Sequence, residues 1–132
     1  MTKIESKHVE VSASQKAIYD YLMDLNNLEE LLPQDKVSDF QSDGKSCSFK
    51  VMNAYTIGLE YQSSNEPDNI ILKSTDGAPF SFDLDIKINE LADKSKVNLI
   101  SNADINPFMK MMVEKPLRNL FDYIAERLTT KF

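Results

Sequence analysis

The sequence predicts a single α+β domain in which a seven-stranded antiparallel sheet curves around a long C-terminal helix. Between residues 37 and 103, apolar and polar residues alternate with a period of two, which is typical of strands with one buried face. From residue 106 to residue 128 the apolar residues recur at helical spacing instead. The length of 132 residues suits one hydrophobic core, so we expect one domain over 1–132.

The first quarter of the chain predicts a strand followed by two short helices. Residues 3–11 indicate the opening strand. Ser12 and Gln15 have the spacing of a capping box, which supplies partners for free amide groups at a helix start. Apolar residues then recur at helical spacing as far as Leu25. The remaining features of this region are an interruption at Asn26-Asn27, a second short helix at 28–32 and a stop at Pro33.

Turn residues divide the alternating region into six strands. The expected strands are 37–42, 46–52, 55–61, 70–74, 80–88 and 97–103. The expected turns are Asp43-Gly44, Glu66-Pro67-Asp68-Asn69, Asp76-Gly77-Ala78-Pro79 and Ala92-Asp93-Lys94. Segment 80–88 has the clearest pattern, because a slip of one residue would bury its aspartates and its lysine. Its predicted inward residues are Phe80, Phe82, Leu84, Ile86 and Ile88.

The C-terminal helix has a well-defined start. Asn106 suits the N-cap position and Pro107 the first helical position. Pro116 lies inside the helix, where it removes one backbone hydrogen bond and crowds the preceding turn. We therefore expect a kink or bulge near residues 112–115.

Charge and composition exclude several classes of partner. The net charge of −6 disfavours nucleic acids and anionic membrane surfaces, since both need a positive patch. No stretch approaches the roughly 20 apolar residues of a membrane-spanning helix, so no stable membrane insertion is expected. Cys47 is the single cysteine, which precludes an internal disulfide and favours a cytoplasmic location.

Catalytic and metal-binding patterns are missing from the sequence. His8 is the only histidine, and it lies far from Cys47, so neither a metal site nor a cofactor is predicted. No catalytic residue is assigned. An enzyme would have to use some combination of His8, Tyr55, Tyr61 and Asp104, converging in one cavity.

The order of the elements resembles a known superfamily. Residues 9–22 (VEVSASQKAIYDYL) and 26–33 (NNLEELLP) give a strand, a capped helix and a short helix that ends in proline. This arrangement resembles the helix-grip fold of the START/Bet v 1-like superfamily, also called the SRPBCC or polyketide cyclase/dehydrase-like group. The resemblance implies an apolar cavity between the curved sheet and the last helix. It implies lipids, sterols, polyketides, quinones or plant hormones as ligand classes.

Three functions remain open at this level. The first is binding or transport of a small hydrophobic or amphipathic ligand, such as a lipid, quinone or polyketide-like molecule. The alternatives are a cyclase, aromatase or dehydratase, and a chaperone-type module that binds another protein.

Periodicity does not distinguish a cavity-lining face from a packed one, but the resemblance favours a cavity. Its expected ligand-binding residues are Tyr55, Ile57, Leu59, Tyr61, Phe80, Phe82, Leu84, Ile86, Asp104, Met109, Met112, Val113, Pro116 and Leu120. The oligomeric state is left open.

Overall fold

The structure, a computed structural model, describes residues 1–51, 55–75 and 79–132. Its elements are β1 (Thr2–Glu5), β2 (Val9–Val11), α1 (Gln15–Met23), a 3-10 helix (Leu25–Leu31), β3 (Val37–Ser42), β4 (Ser46–Val51), β5 (Tyr55–Asn65), β6 (Asn69–Ser74), β7 (Ser81–Glu90), β8 (Ser95–Asp104) and α2 (Pro107–Lys131). The predicted α+β class, with a curved antiparallel sheet around a long C-terminal helix, is confirmed. The predicted strand end at position 52 and turn positions 76–78 lie outside the described residues.

All strand pairs are antiparallel, in the order β1-β8-β7-β6-β5-β4-β3. The strand β2 also pairs with β8, at the end of β8 opposite to β1. The prediction of a single opening strand over 3–11 is therefore wrong. The edge of the sheet is formed there by two separate strands, β1 and β2. The break is at Ser6, whose N–H donates to the Leu99 carbonyl and whose hydroxyl accepts from the Leu99 N–H, both at 2.8 Å.

The strand β7 has the alternation that its sequence predicts. Phe82, Leu84, Ile86 and Ile88 are buried, while the residues between them face the outer side. Phe80 precedes the strand and is half-buried, with its ring centroid 5.5 Å from that of Phe82. This row forms the centre of the wall that faces α2 and α1.

The strand β5 keeps its predicted alternation but loses its cover at Tyr61. Ile57 and Leu59 are buried, but Tyr61 is 39% exposed. Tyr61 pairs with the buried Leu72 of β6, so it lies on the predicted face of the sheet. Pairing with β4 ends at Glu60, so the prediction that Tyr61 lies in the interior is wrong: it is at the rim of the sheet.

The helix α1 begins later than predicted. Its N-cap is Ser14, whose hydroxyl accepts from the Ala17 N–H at 3.2 Å, so the predicted capping box at Ser12 is wrong. The Gln15 amide instead donates to the Ile88 carbonyl at 2.8 Å and ties the helix to β7. The predicted interruption at Asn26-Asn27 is also wrong, since both residues lie inside the 3-10 helix.

The helix α2 starts as predicted, with Asn106 as N-cap accepting from the Met109 N–H at 2.8 Å. It is one continuous α-helix through Pro116, and the kink or bulge expected near residues 112–115 stays a prediction. Only Val113 and Leu117 are buried among residues 107–118. The second half has five buried residues: Leu120, Phe121, Ile124, Ala125 and Leu128.

Among the described residues, no helix is both long enough and apolar enough to cross a bilayer.

Candidate functional site

The space between the sheet and α2 is almost filled by side chains. One of the small voids that remain there measures about 20 Å³. It is bordered by six of the predicted ligand-binding residues: Ile57, Leu59, Phe82, Leu84, Ile86 and Leu120. A void needs roughly 10–15 Å³ to hold one water, and an apolar void of this size stays dry. The spacious cavity expected between sheet and helix is therefore absent from the described part of the chain.

A larger opening with apolar walls lies at the rim of this interior. A cleft of about 230 Å³ separates α2 from the segment that follows the 3-10 helix. Its apolar walls are Pro33, Val51, Pro116 and Leu120. Its polar lining groups are Lys36, Lys115, Asn119 and Tyr123. The cleft is thus an amphipathic site beside α2.

One turn of α2 separates the cleft from the interior. Leu120 borders both the cleft and the interior void. Pro116 borders the cleft and a further void of about 20 Å³, whose lining includes Tyr55, Phe80 and Val113. Leu117 borders that further void and the interior void.

The interior offers apolar contact only. Every buried side-chain nitrogen or oxygen of the described residues already has a hydrogen-bond partner. No buried polar side chain of the interior is therefore left to form a hydrogen bond with a ligand. The polar groups that could orient a ligand lie in the cleft.

Three of the predicted ligand-binding residues do not lie in the interior, where the sequence placed them. Met112 is 53% exposed, so it does not face the interior. Asp104 lies at the end of β8, just before α2, as its position in the sequence predicts, and it is exposed. Met109 is only half-buried. The exposed hydroxyl of Tyr61 lies 2.9 Å from that of Ser64. The prediction for the two methionines is wrong because helical periodicity identifies one apolar face of α2 along its whole length. The sheet covers less of that face near the N-terminus of α2.

An exposed apolar patch results at the start of α2. Phe108, Met111 and Met112 are 72%, 87% and 53% exposed. Met111 and Met112 lie three and four residues after Phe108, Lys115 lies three residues after Met112, and Asn119 lies four residues after Lys115, so these positions share one helix face. The patch and the cleft are therefore neighbours on the same side of α2.

The four residues named for a possible enzyme do not converge. His8 is exposed and lies 3.3 Å from the Glu5 carboxylate at the edge of the sheet. Asp104 and Tyr61 are exposed, and only Tyr55 borders an internal void. Among the described residues, no group of three or more His, Cys, Asp or Glu side chains is arranged to hold a metal ion.

Two side chains have a raised pKa for structural reasons. Burial raises the pKa of the Cys47 thiol to about 12, so the thiol is protonated and unreactive near neutral pH. Burial, together with the Glu30 carboxylate, raises the pKa of Tyr21 to about 12. Tyr21 packs edge-on against Phe132 at 5.4 Å, and Glu30 pairs with Lys131, so this cluster fixes the C-terminal end of α2.

Of the residues that line the cleft, the sequence predicted only Pro116 and Leu120 as ligand-binding residues. A usable signal existed on α2, because Lys115, Asn119 and Tyr123 repeat every four residues beside Pro116. Nothing in the sequence links this row to Pro33 or Val51. That contact depends on how the segment after the 3-10 helix crosses α2.

Comparison with known proteins gives the fold and no closer relationship. No protein-family model matches the chain, and no curated protein matches it in sequence. A START superfamily protein from Mycobacterium smegmatis superposes with a TM-score of 0.75 and 17% identity, covering 98% of this chain and 95% of that one. The protein XoxI from Bacillus cereus gives 0.78 and 14%, covering 100% and 96%.

A third similar structure is norcoclaurine synthase from Thalictrum flavum, in complex with dopamine and hydroxybenzaldehyde. It gives a TM-score of 0.74 and 14% identity, covering 98% of this chain and 85% of that one. The resemblance to the START/Bet v 1-like superfamily is thus confirmed at the level of the fold.

Proposed function

We propose that this protein binds a small hydrophobic or amphipathic molecule in the cleft beside α2, with the apolar end of the ligand directed at Leu120. One observation carries the proposal: the cleft of about 230 Å³ is separated from the apolar interior by a single helical turn. Ligand sites usually measure roughly 300–1,000 Å³. The cleft therefore suits a small ligand, or the first part of a longer one.

The construction of α2 supports this location. Its C-terminal half is held by buried apolar residues, by the Lys7 N–H donating to Asp122 at 2.8 Å, and by the pair of Lys131 with Glu30. Its N-terminal half has two buried residues and Pro116, which deprives the Met112 carbonyl of its helical donor. The cleft residues Pro116 and Leu120 lie where these two halves meet, so a ligand there would contact the less firmly packed half and the first buried residue of the other.

The fold supports the ligand class. A protein of the same fold binds the small aromatic molecules dopamine and hydroxybenzaldehyde. Lipid, quinone or polyketide-like molecules remain the proposed ligands, as expected from the sequence, and a cytoplasmic location remains a prediction. Affinity would come mainly from apolar burial, at about 25 cal/mol per Å² before the entropic costs of binding.

A neutral fluorescent probe tests the proposal. N-phenyl-1-naphthylamine should bind the wild-type protein saturably and brighten. The substitution Asn119→Trp fills the cleft from an exposed helix position and should weaken binding at least about tenfold. Thr129→Trp, at an exposed position of α2 outside the cleft, is the matched control and should bind as the wild type does. Equal binding by the two variants would contradict the proposal.

A protein-interaction module is the second candidate. The exposed patch of Phe108, Met111 and Met112 favours it, because large apolar side chains that cluster on a surface often mark a contact site. A pull-down from the source organism with wild type and with Phe108→Ser/Met111→Ser tests it. This candidate fails if both proteins retain the same partners. Binding of the neutral probe by the double variant would show that the cleft acts independently of the patch.

A further inference from the structure

We infer that the ligand of the cleft is an anionic amphiphile, with one negatively charged head group and a short apolar body. This inference rests on the proposed binding function and adds the charge of the ligand. It starts from the chemistry of the cleft lining, which differs from the charge of the protein as a whole.

The described lining of the cleft is positively charged in an acidic protein. Its only charged groups are the ammonium groups of Lys36 and Lys115, whereas the whole chain carries a net charge of −6. The Asn119 amide and the Tyr123 hydroxyl add two further hydrogen-bond donors. No Asp or Glu of the described residues lines the cleft. A head group that accepts hydrogen bonds and carries negative charge fits this set.

The acids near the cleft have other partners. Glu114, next to Lys115, lies 3.7 Å from the ammonium of Lys110 and 3.3 Å from the guanidinium of Arg118. Glu30, which precedes the cleft segment, pairs with Lys131. Asp35, beside Lys36 in sequence, is exposed and does not line the cleft. Thus no described carboxylate lies within 4.0 Å of Lys36 or Lys115.

Other lysines differ from this pair. Eight lysines of the described residues have a carboxylate partner: Lys3, Lys7, Lys16, Lys73, Lys87, Lys94, Lys110 and Lys131. Lys45, Lys50 and Lys96 have no such partner among those residues, but none of the three lines the cleft. Only Lys36 and Lys115 combine an available charge with an apolar wall, formed by Pro33, Pro116 and Leu120.

The apolar wall sets the orientation of the ligand. Both lysines are exposed, so their charges lie at the rim of the cleft. Leu120 is 6% exposed and lies at the interior side. An anionic head at the rim and an apolar body against Leu120 would satisfy both ends, because long lysine side chains keep their charge in water while their stems cover apolar surface.

Octanoate and 1-octanol, which share one chain length, test the inference by isothermal titration calorimetry. At about 20 mM salt octanoate should bind about 2- to 5-fold more tightly than 1-octanol, which lies within the range expected for exposed charge pairs. The preference should shrink at about 300 mM salt, where charges on the surface are screened.

Matched double variants locate the effect. Lys36→Gln/Lys115→Gln should abolish the preference for octanoate and leave 1-octanol binding unchanged. Lys45→Gln/Lys96→Gln removes the same charge elsewhere: Lys45 precedes β4 at the end opposite to Val51, and Lys96 lies on β8. This control should keep the preference.

The outcomes separate the two proposals. Equal binding of octanoate and 1-octanol, or a preference that both double variants retain, overturns the inference and leaves the binding function standing. Binding of neither molecule, with no binding of the neutral fluorescent probe, overturns both. A preference for octanoate that is lost only in Lys36→Gln/Lys115→Gln supports both.

Discussion

Ser6 shows how one polar side chain can replace a strand hydrogen bond. It is 4% exposed and lies where the edge strand breaks between β1 and β2. Its hydroxyl accepts the Leu99 N–H, which would otherwise be buried without a partner. The sequence gives no sign of this role, because a serine in a predicted strand is most simply an outward residue.

Ser6→Ala should lower the free energy of unfolding by about 1–3 kcal/mol, the cost of a buried donor without an acceptor. Urea denaturation monitored by circular dichroism measures the change. Ser63→Ala, at an exposed position of β5, is the control and should stay within about 0.5 kcal/mol of wild type. Equal effects of the two substitutions would mean that the Leu99 amide finds another partner.

Cys47 gives a prediction about pH. Burial raises the pKa of its thiol to about 12 in the folded protein, from an ordinary value of 9.0. The unfolded chain therefore loses this proton first, and the contribution of Cys47 to stability is complete below about pH 9 and is lost as the pH rises towards 12. Wild type should lose more stability than Cys47→Ala between about pH 8 and pH 10.5 in denaturant titrations. Parallel losses would contradict the burial of the thiol.

At the scale of the element, local signals located the helices but misplaced one cap. Ser12-Ala13-Ser14 offers two serines near the start of α1, and the predicted capping box uses the wrong one. The amide of Gln15 is drawn to the Ile88 carbonyl, a partner on a distant strand. A capping box needs that side chain to fold back on its own helix, so a tertiary contact decides the local structure.

The two serines provide a matched pair of substitutions. Ser14→Ala should cost about 1 kcal/mol of stability, because the Ala17 N–H loses its acceptor. Ser12→Ala should change stability by less than about 0.5 kcal/mol. Thermal and urea unfolding measure both. A larger loss of stability for Ser12→Ala than for Ser14→Ala would support the capping box predicted from the sequence.

At the scale of the whole molecule, the proposed ligand binding depends on how much space remains between the apolar faces that the local sequence identifies. The inward row of β7 and the buried face of α2 meet closely and leave a void of about 20 Å³. Leu120 then separates this void from a cleft about ten times larger. Removing this separation is the most direct way to change ligand binding without touching the lysines of the cleft.

Leu120→Ala should join the interior void to the cleft and increase the affinity for a neutral apolar probe. Leu128→Ala removes an equally apolar residue that borders neither space and should not increase it. Both should lose about 2–5 kcal/mol of stability. If Leu120→Ala does not fold, Leu120→Val gives the comparison with a smaller loss. A gain in affinity shared by Leu120→Ala and Leu128→Ala would point to general loosening of the core.

The sequence by itself determined the fold class, the strand alternation of β7 and the Asn106 cap of α2, because these depend on period and on local hydrogen bonds. It also identified the buried residues Ile57 and Leu59 of β5. Only the tertiary structure decided that the interior is nearly full and that Tyr61 and Met112 are exposed. Likewise, it alone brought Lys36 and Lys115 to one cleft. The physical reason is that periodicity defines which side of an element is apolar, whereas the distance between two apolar sides is set by the packing of all their side chains together.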